Sequence, residues 1–287
     1  MINSIEQTLR HATRTLLSKT ETPQLDAEVL LAHVLHVSRS YLMAFSERVL
    51  TPEEQACFAE LLSARVNGMP IAYLIQHKEF WSLDFFVTPD TLIPRPDTEL
   101  LVELVLKTLS DEKKMIADLG TGSGAIALSL AHERALWEVH ATDKSHAALA
   151  VAKINAEKFH LAHVVFHQGE WCDALPEHIL FDAIISNPPY IAKNDVHLQQ
   201  GDLRFEPQSA LVADENGLKE IRDIILSAKK CLKSGGFLFL EHGFQQAKAV
   251  KQILMEQGYQ SISLHQDLAG LDRVTAARSP LIHQVRE

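Results

Sequence analysis

Asn187-Pro188-Pro189-Tyr190 is the densest piece of chemistry in this 287-residue chain. It directly follows the apolar run Phe181-Asp182-Ala183-Ile184-Ile185-Ser186, which reads as a buried strand. Two consecutive prolines end such a strand and hold the backbone extended and stiff. They leave backbone carbonyls without intrachain partners and fix Asn187 at the carboxyl edge of a sheet, where open α/β sheets take their ligands. A side-chain amide carries one acceptor oxygen and two N–H donors. The Asn187 oxygen and the Pro188 carbonyl can therefore both accept from a single NH2 group, while Tyr190 offers a flat face to a planar one. The competing interpretation is a proline-rich turn whose Asn only satisfies the backbone.

Two features upstream argue against that plainer interpretation. Asp118-Leu119-Gly120-Thr121-Gly122-Ser123-Gly124-Ala125 follows one apolar run and opens another of helical spacing. Glycines here permit a tight turn and let a ligand approach bare backbone, with a helix N-terminus behind it. No Gly-Lys-Ser/Thr follows, so this is not a P-loop. Gly120, Gly122 and Ala125 do fill the small-residue places of the dinucleotide pattern. Taken alone, the stretch is either a nucleoside-cofactor site or a structural turn. Asp143 ends the next strand, roughly 20 residues beyond, where a carboxylate accepts both hydroxyls of a ribose. Its other reading is a cap for the helix after Lys144-Ser145. The glycine turn at this spacing favours the ribose.

These residues need a scaffold, and the chain has two textures. From Ile5 to about Val66, leucines and alanines recur at helical spacing, as in Ala27, Leu30, Leu31, Val34 and Leu35. Thr51-Pro52 starts one helix, and Gly68-Met69-Pro70 stops it. This predicts a small helical domain over residues 1–77. Residues 78–92 alternate and are aromatic-rich, which predicts a β-hairpin linker. From residue 93 to 287 the pattern is strand, glycine or acidic turn, then helix. Strands are expected at Met115–Leu119, Val139–Thr142, Val164–His167, Phe181–Ser186, Phe237–Leu240, Ser261–His265 and Arg273–Ala277. Alternation of this kind predicts an α/β fold with a seven-stranded, mostly parallel sheet covered by helices. Between the last two strands only residues 266–272 remain, too few for a parallel crossover, so the last strand should be antiparallel.

Composition removes several functional classes. The chain has 27 Lys and Arg against 37 Asp and Glu, a net charge of −10. A nucleic-acid binder wants a basic footprint, so no direct nucleic-acid partner is expected. The N-terminus has no basic segment leading into an apolar one, and no apolar run approaches the roughly 20 residues of a membrane span. A cytoplasmic protein is expected. The cysteines, Cys57, Cys172 and Cys231, are odd in number and lack metal-ligand spacing. His33 with His36, and His160 with His163, lack a third ligand at convincing spacing, so no metal is expected.

Together, the glycine turn, the strand-end acid and Asn-Pro-Pro-Tyr resemble the class I S-adenosylmethionine-dependent methyltransferases of Rossmann-like fold. Ile93-Pro94-Arg95-Pro96-Asp97-Thr98-Glu99, the stretch from Leu198 to Pro207, Glu241-His242-Gly243 and Gly270-Leu271-Asp272-Arg273-Val274 sharpen the likeness. With them, the whole chain resembles the peptide chain release factor glutamine N5-methyltransferases (HemK/PrmC type). That resemblance implies methylation of the glutamine in the Gly-Gly-Gln tripeptide of class I release factors. It also implies S-adenosylmethionine as cofactor, with Gly120, Thr121, Gly122, Ser123, Gly124, Asp143, Trp171 and Asn187 around it. Asn187, Pro188, Pro189 and Tyr190 would bind the substrate, and Asn187, Pro188 and Tyr190 would carry the chemistry. The motif is shared with adenine-N6 DNA methyltransferases, which remain the alternative. One departure is Glu170 before Trp171, where the family implies Asp.

Overall fold

The computed structural model describes residues 3–281. Two of its front helices begin by the same device. Ser4 and Thr51 each accept a bond from a backbone N–H three residues on, while the side chains of Gln7 and Glu54 reach back to the cap. These capping boxes satisfy donors that a helix start otherwise leaves open. They launch α1 (Ile5–Leu16) and α4 (Pro52–Val66); α2 (Pro23–Leu35) and α3 (Arg39–Ala44) lie between, and α5 (Ile71–Ile75) follows. Ile5, Leu16, Leu30, Leu31, Phe58 and Leu62 bury their side chains in one cluster.

Residues up to His77 form a compact unit with a piece of chain distant in sequence, Gln199–Phe205. Arg65 donates to the buried Asp26 at 2.8 Å and lies 3.7 Å from Asp202. Gly68, at φ +96, leaves the space that the Arg204 guanidinium fills. A second unit takes in Lys78–Leu198 and the described residues from Glu206 onward.

Two four-residue strands, β1 (His77–Phe80) and β2 (Leu83–Phe86), make a small sheet. Trp81 and Ser82 between them both have positive φ, 52° and 58°, the backbone of a two-residue hairpin turn. Phe80 and Phe85 pack edge to face behind it.

The large sheet is built from β3 (Met115–Leu119), β4 (Glu138–Asp143), β5 (Val165–Gln168), β6 (Phe181–Ser186), β9 (Leu232–Glu241), β10 (Gln260–Gln266) and β11 (Asp272–Arg278). Their order is β10-β11-β9-β6-β3-β4-β5. β3, β4, β5, β6 and β9 pair in parallel, and β11 is antiparallel to both of its neighbours. This is the seven-stranded, mostly parallel sheet with an antiparallel last strand that the sequence implies. α6 (Glu99–Thr108) leads into β3, and the connections between later strands carry α7 (Ala125–Glu133), α8 (His146–Lys158), α11 (Lys219–Cys231) and α12 (Ala247–Glu256). Between β6 and α11 lie β7 (Ile191–Ala192), α9 (Gln208–Leu211), β8 (Val212–Ala213) and the short turn α10 (Asp214–Gly217). β9 starts at Leu232, five residues before the expected Phe237, with a register irregularity against β6. Among the described residues, no helix is long and apolar enough to cross a membrane.

One buried side chain ties the hairpin to the glycine turn. Asn155 of α8 accepts from the Phe86 N–H at 2.7 Å and donates to the carbonyls of Phe86 and Ser123, each at 2.9 Å. It is fully buried, so removing it strands buried backbone groups, each at a cost of about 1–3 kcal/mol. Asn155→Ala should lower stability by at least about 2 kcal/mol in urea unfolding. A wild-type midpoint would show that this clamp carries no weight.

Candidate active site

Register brings the motifs together. Leu119 of β3 pairs with Thr142 of β4 and with Ser186 of β6. The next residues on the three strands, Gly120, Asp143 and Asn187, therefore stand at the same carboxyl edge. All three line one cleft, along with Gly122, Glu170, Trp171 and Pro189. Asp90, Thr91 and Leu92 from the loop after β2, and Pro207, Ser209 and Ala210 around the start of α9, complete it.

The glycine turn is shaped for a ligand. Gly122 has φ +57 and open space where a Cβ would point. Gly120 has φ +74, and a Cβ there would come within 3.0 Å of the Trp171 ring. Both positions need a residue without a side chain, the first because of its backbone and the second also because of the ring. Trp171 is braced in turn, its indole N–H donating to Glu220 at 3.1 Å. Glu170, the departure from the family pattern, does line the cleft.

Asp143 is held by two backbone donors, Gly122 N–H to Oδ2 at 2.9 Å and Ser145 N–H to Oδ1 at 2.8 Å. Each carboxylate oxygen keeps a further lone pair for a hydroxyl. Burial pushes this carboxyl above the usual range, while the two N–H bonds pull it down. The helix cap that was its rival role falls to Ser145, whose hydroxyl accepts from Ala148 N–H at 3.1 Å.

Thr121, Ser123 and Gly124 do not line the cleft but support it. The Thr121 hydroxyl donates to Asp118 at 2.7 Å, and the Ser123 carbonyl accepts from Asn155. Gly124, at φ +86, lets Leu128 of α7 pack where a Cβ would clash. Asp118 itself is fully buried, also accepts from Ala127 N–H, and is pushed up to about 7 by that burial. Its bond to Thr121 stiffens the turn.

Asn187 donates from Nδ2 to the Thr98 hydroxyl at 3.1 Å. The amide oxygen is thus the end left to the cleft. Pro188 is buried. Tyr190 does not line the cleft: its hydroxyl donates to Glu241 at 3.4 Å, and its carbonyl accepts from Gln246 at 3.0 Å. Burial drives the Tyr190 phenol well up, and the adjacent Glu241 carboxylate adds to that. Glu206 anchors the loop before α6 by accepting from Ile93 N–H and from Arg95. Thr98, Glu206 and Glu241 all lie in stretches whose pattern stood out in the sequence, yet nothing in their spacing announced these bonds.

Two family models match separate stretches of the chain. A family model described as the PrmC N-terminal domain matches residues 7–75, and one described as the methyltransferase small domain matches residues 96–206. The release factor glutamine methyltransferase of Coxiella burnetii is 48% identical over 96% of this chain and 99% of its own. That of Salmonella typhimurium is 50% identical over 91% and 94%, and that of Escherichia coli 47% over the same shares. Among solved structures, a methyltransferase from Pyrococcus furiosus aligns at a TM-score of 0.54 and 18% identity, covering 78% of this chain and 100% of that one. The 16S rRNA N2 G1207 methyltransferase of T. thermophilus, solved with AdoMet and guanosine, gives 0.52 and 19%, covering 71% of this chain and 49% of that one. These two likenesses speak for the fold.

Hydrogen bonds to a charged acceptor contribute about 1.5–3 kcal/mol. Asp143→Ala should therefore bind S-adenosylhomocysteine at least about tenfold more weakly by calorimetry. Wild-type affinity in the folded variant would take Asp143 out of the cofactor site.

Proposed function

The chain belongs to the release factor glutamine methyltransferases, and on that footing we propose that it methylates N5 of the glutamine in the Gly-Gly-Gln tripeptide of class I peptide chain release factors. It is an S-adenosylmethionine-dependent protein glutamine methyltransferase whose substrates are release factors. The family sets aside the adenine-N6 DNA reading of the same motif. The observation that carries the finer proposal is the Asn187–Thr98 bond, which turns the amide oxygen of Asn187 toward the cleft beside Asp143 and Gly122.

S-adenosylmethionine supplies a methyl group on a positively charged sulfur when bound. Gly120, Gly122, Asp143 and Trp171 would hold it, the acid on the ribose and the ring against the adenine. An amide nitrogen is a poor nucleophile because its lone pair is delocalised into the carbonyl. The remedy open to this chain is position. Asn187 Oδ1 and the Pro188 carbonyl each accept one hydrogen of the substrate amide and so fix its nitrogen in line for attack. Alignment of this kind supplies up to roughly 7–11 kcal/mol of a barrier reduction. The same two oxygens stabilise positive charge as it develops on nitrogen. The proton leaves to water afterwards, and no strong base is required.

The helical unit is the proposed seat of protein recognition. A specific protein contact buries about 1,200–2,000 Å² in total, far more than one glutamine side chain provides. Residues 1–77 hold no cofactor motif, and Met43, Phe45 and Val49 stand exposed there, at 68%, 53% and 52%. Cutting the chain at residue 77 would also strip Gln199–Phe205 of its unit, so point changes in the full chain are the cleaner probe.

Asn187→Ala should lose on the order of a hundredfold in kcat while binding S-adenosylhomocysteine normally. Near-normal turnover would refute the orienting role. Paired replacement of Met43 and Phe45 by Asp should raise KM for the whole release factor about tenfold or more, with cofactor affinity unchanged. An unaltered KM would remove this face from recognition.

A further inference from the structure

Gly270-Leu271-Asp272-Arg273-Val274 stands out in the sequence, yet none of these residues lines the cleft. They span the end of the turn from β10 to β11 and the start of β11. Four consecutive residues of that turn, Leu268-Ala269-Gly270-Leu271, are exposed and carry no polar side chain. Leu268 stands wholly in water, at 110% relative exposure. One exposed leucine needs no explanation on a protein surface. A turn built to hold two of them out does.

One carboxylate braces that turn from beneath. Asp267 accepts from the Ala269 and Leu271 N–H groups at 2.9 and 3.0 Å, and from Arg273 at 3.0 and 3.2 Å. Its own N–H donates to the Leu271 carbonyl at 2.9 Å, and its carbonyl accepts from Gly270, at φ +77, at 3.0 Å. A loop fixed in this way loses little freedom on meeting a partner, which removes one of the costs of association.

The sheet sets the turn's place relative to the site, since both belong to the same unit. Val274 of β11 pairs with Glu241 of β9, and the preceding Leu240 pairs with Ser186 of β6. The turn therefore leaves the same carboxyl edge as Asn187, two strand spacings or about 10 Å along. Arg273 adds a second tie. Besides holding Asp267, it lies 3.3 Å from Asp97, the neighbour of the Thr98 whose hydroxyl accepts from Asn187. Phe244, three residues past Glu241, is a further exposed apolar side chain after the end of β9.

We infer that the Leu268–Leu271 turn is a docking tip for the release factor, taking apolar surface close to the glutamine that is methylated. A glutamine bound at Asn187 brings its neighbouring residues across this edge, and about 10 Å is only three residues of extended chain. A specific protein contact buries about 1,200–2,000 Å² in total. The tip supplies part of it on the catalytic unit, in addition to the contact proposed at Met43 and Phe45. The inference rests on a release factor being the substrate of the Asn187 cleft.

The experiment compares Leu268→Asp, Leu268→Met and Leu136→Asp in the full-length enzyme. It reads kcat and KM for a whole release factor, affinity for S-adenosylhomocysteine and mass in solution. Leu136, 67% exposed in the loop before β4, lies at the amino edge of the sheet and controls for the loss of a surface leucine. Leu268→Asp should raise KM about fivefold or more, with kcat and cofactor affinity within about twofold of wild type. Leu268→Met keeps an apolar tip, and it and Leu136→Asp should hold KM within about twofold. A wild-type KM in Leu268→Asp would overturn the proposal, as would an equal rise in Leu136→Asp. A wild-type dimer that Leu268→Asp disperses would overturn it too, by assigning the tip to a second copy of this chain. A wild-type enzyme that leaves the release factor unmethylated removes the substrate reading beneath the inference. Methylation with an unchanged KM in Leu268→Asp removes the docking tip alone.

Discussion

Neighbouring strands of a parallel sheet lie about 4.7–4.9 Å apart and end at a common edge, and the candidate site here is a direct consequence of that spacing. Leu119 pairs with both Thr142 and Ser186, and Ser186 pairs in turn with Leu240. One residue beyond each of these, Glu241, Asn187, Gly120 and Asp143 follow one another across four strands. A slip of one residue in any of these pairings would turn the strand's side chains to the opposite face. It would also carry the terminal residue away from its neighbours. The buried faces of β3 and β6, with Ile116, Ala117, Ile184 and Ile185 fully enclosed, are what forbid the slip.

Around that edge, buried acids do work that the cleft-lining residues cannot do alone. Asp118 fixes Thr121 and the start of α7, Glu206 fixes the loop at Ile93 and Arg95, and Glu241 takes the Tyr190 hydroxyl. Burial pushes Asp118 and Glu241 up to about 7, so each charge is carried at an energetic cost. What the cost secures is a set of fixed backbone and amide positions. A transfer that depends on alignment more than on acid or base strength needs that rigidity.

Much of this was legible in the sequence because it is local. The strand Phe181–Ser186, the helix start at Thr51-Pro52 and the antiparallel ending all follow from periodicity, capping chemistry and the short connection before Asp272. Gly120, Gly122, Asp143, Asn187 and Pro189 stand out by motif spacing and Trp171 by the family resemblance, and the structure gathers them on one cleft. Tyr190 shows the limit of such reasoning. Its aromatic face suggested a stacking surface, whereas its hydroxyl is drawn to Glu241, a partner 51 residues away. Asn155, Thr98 and Glu206 were missed as contributors for the same reason: their partners lie 69, 89 and 113 residues distant, and no periodicity encodes a pairing of that kind. The return of Gln199–Phe205 to the helical unit was equally silent in the sequence.

The central claim is that one amide nitrogen of one glutamine is the acceptor. Its most direct test is fragmentation mass spectrometry of a class I release factor after incubation with the purified enzyme and S-adenosylmethionine. The account predicts a single added methyl group, borne on the side-chain nitrogen of the glutamine in Gly-Gly-Gln and absent when the enzyme is omitted. A methyl group on any other residue, or an unmodified factor in the presence of enzyme that turns over another substrate, would contradict it.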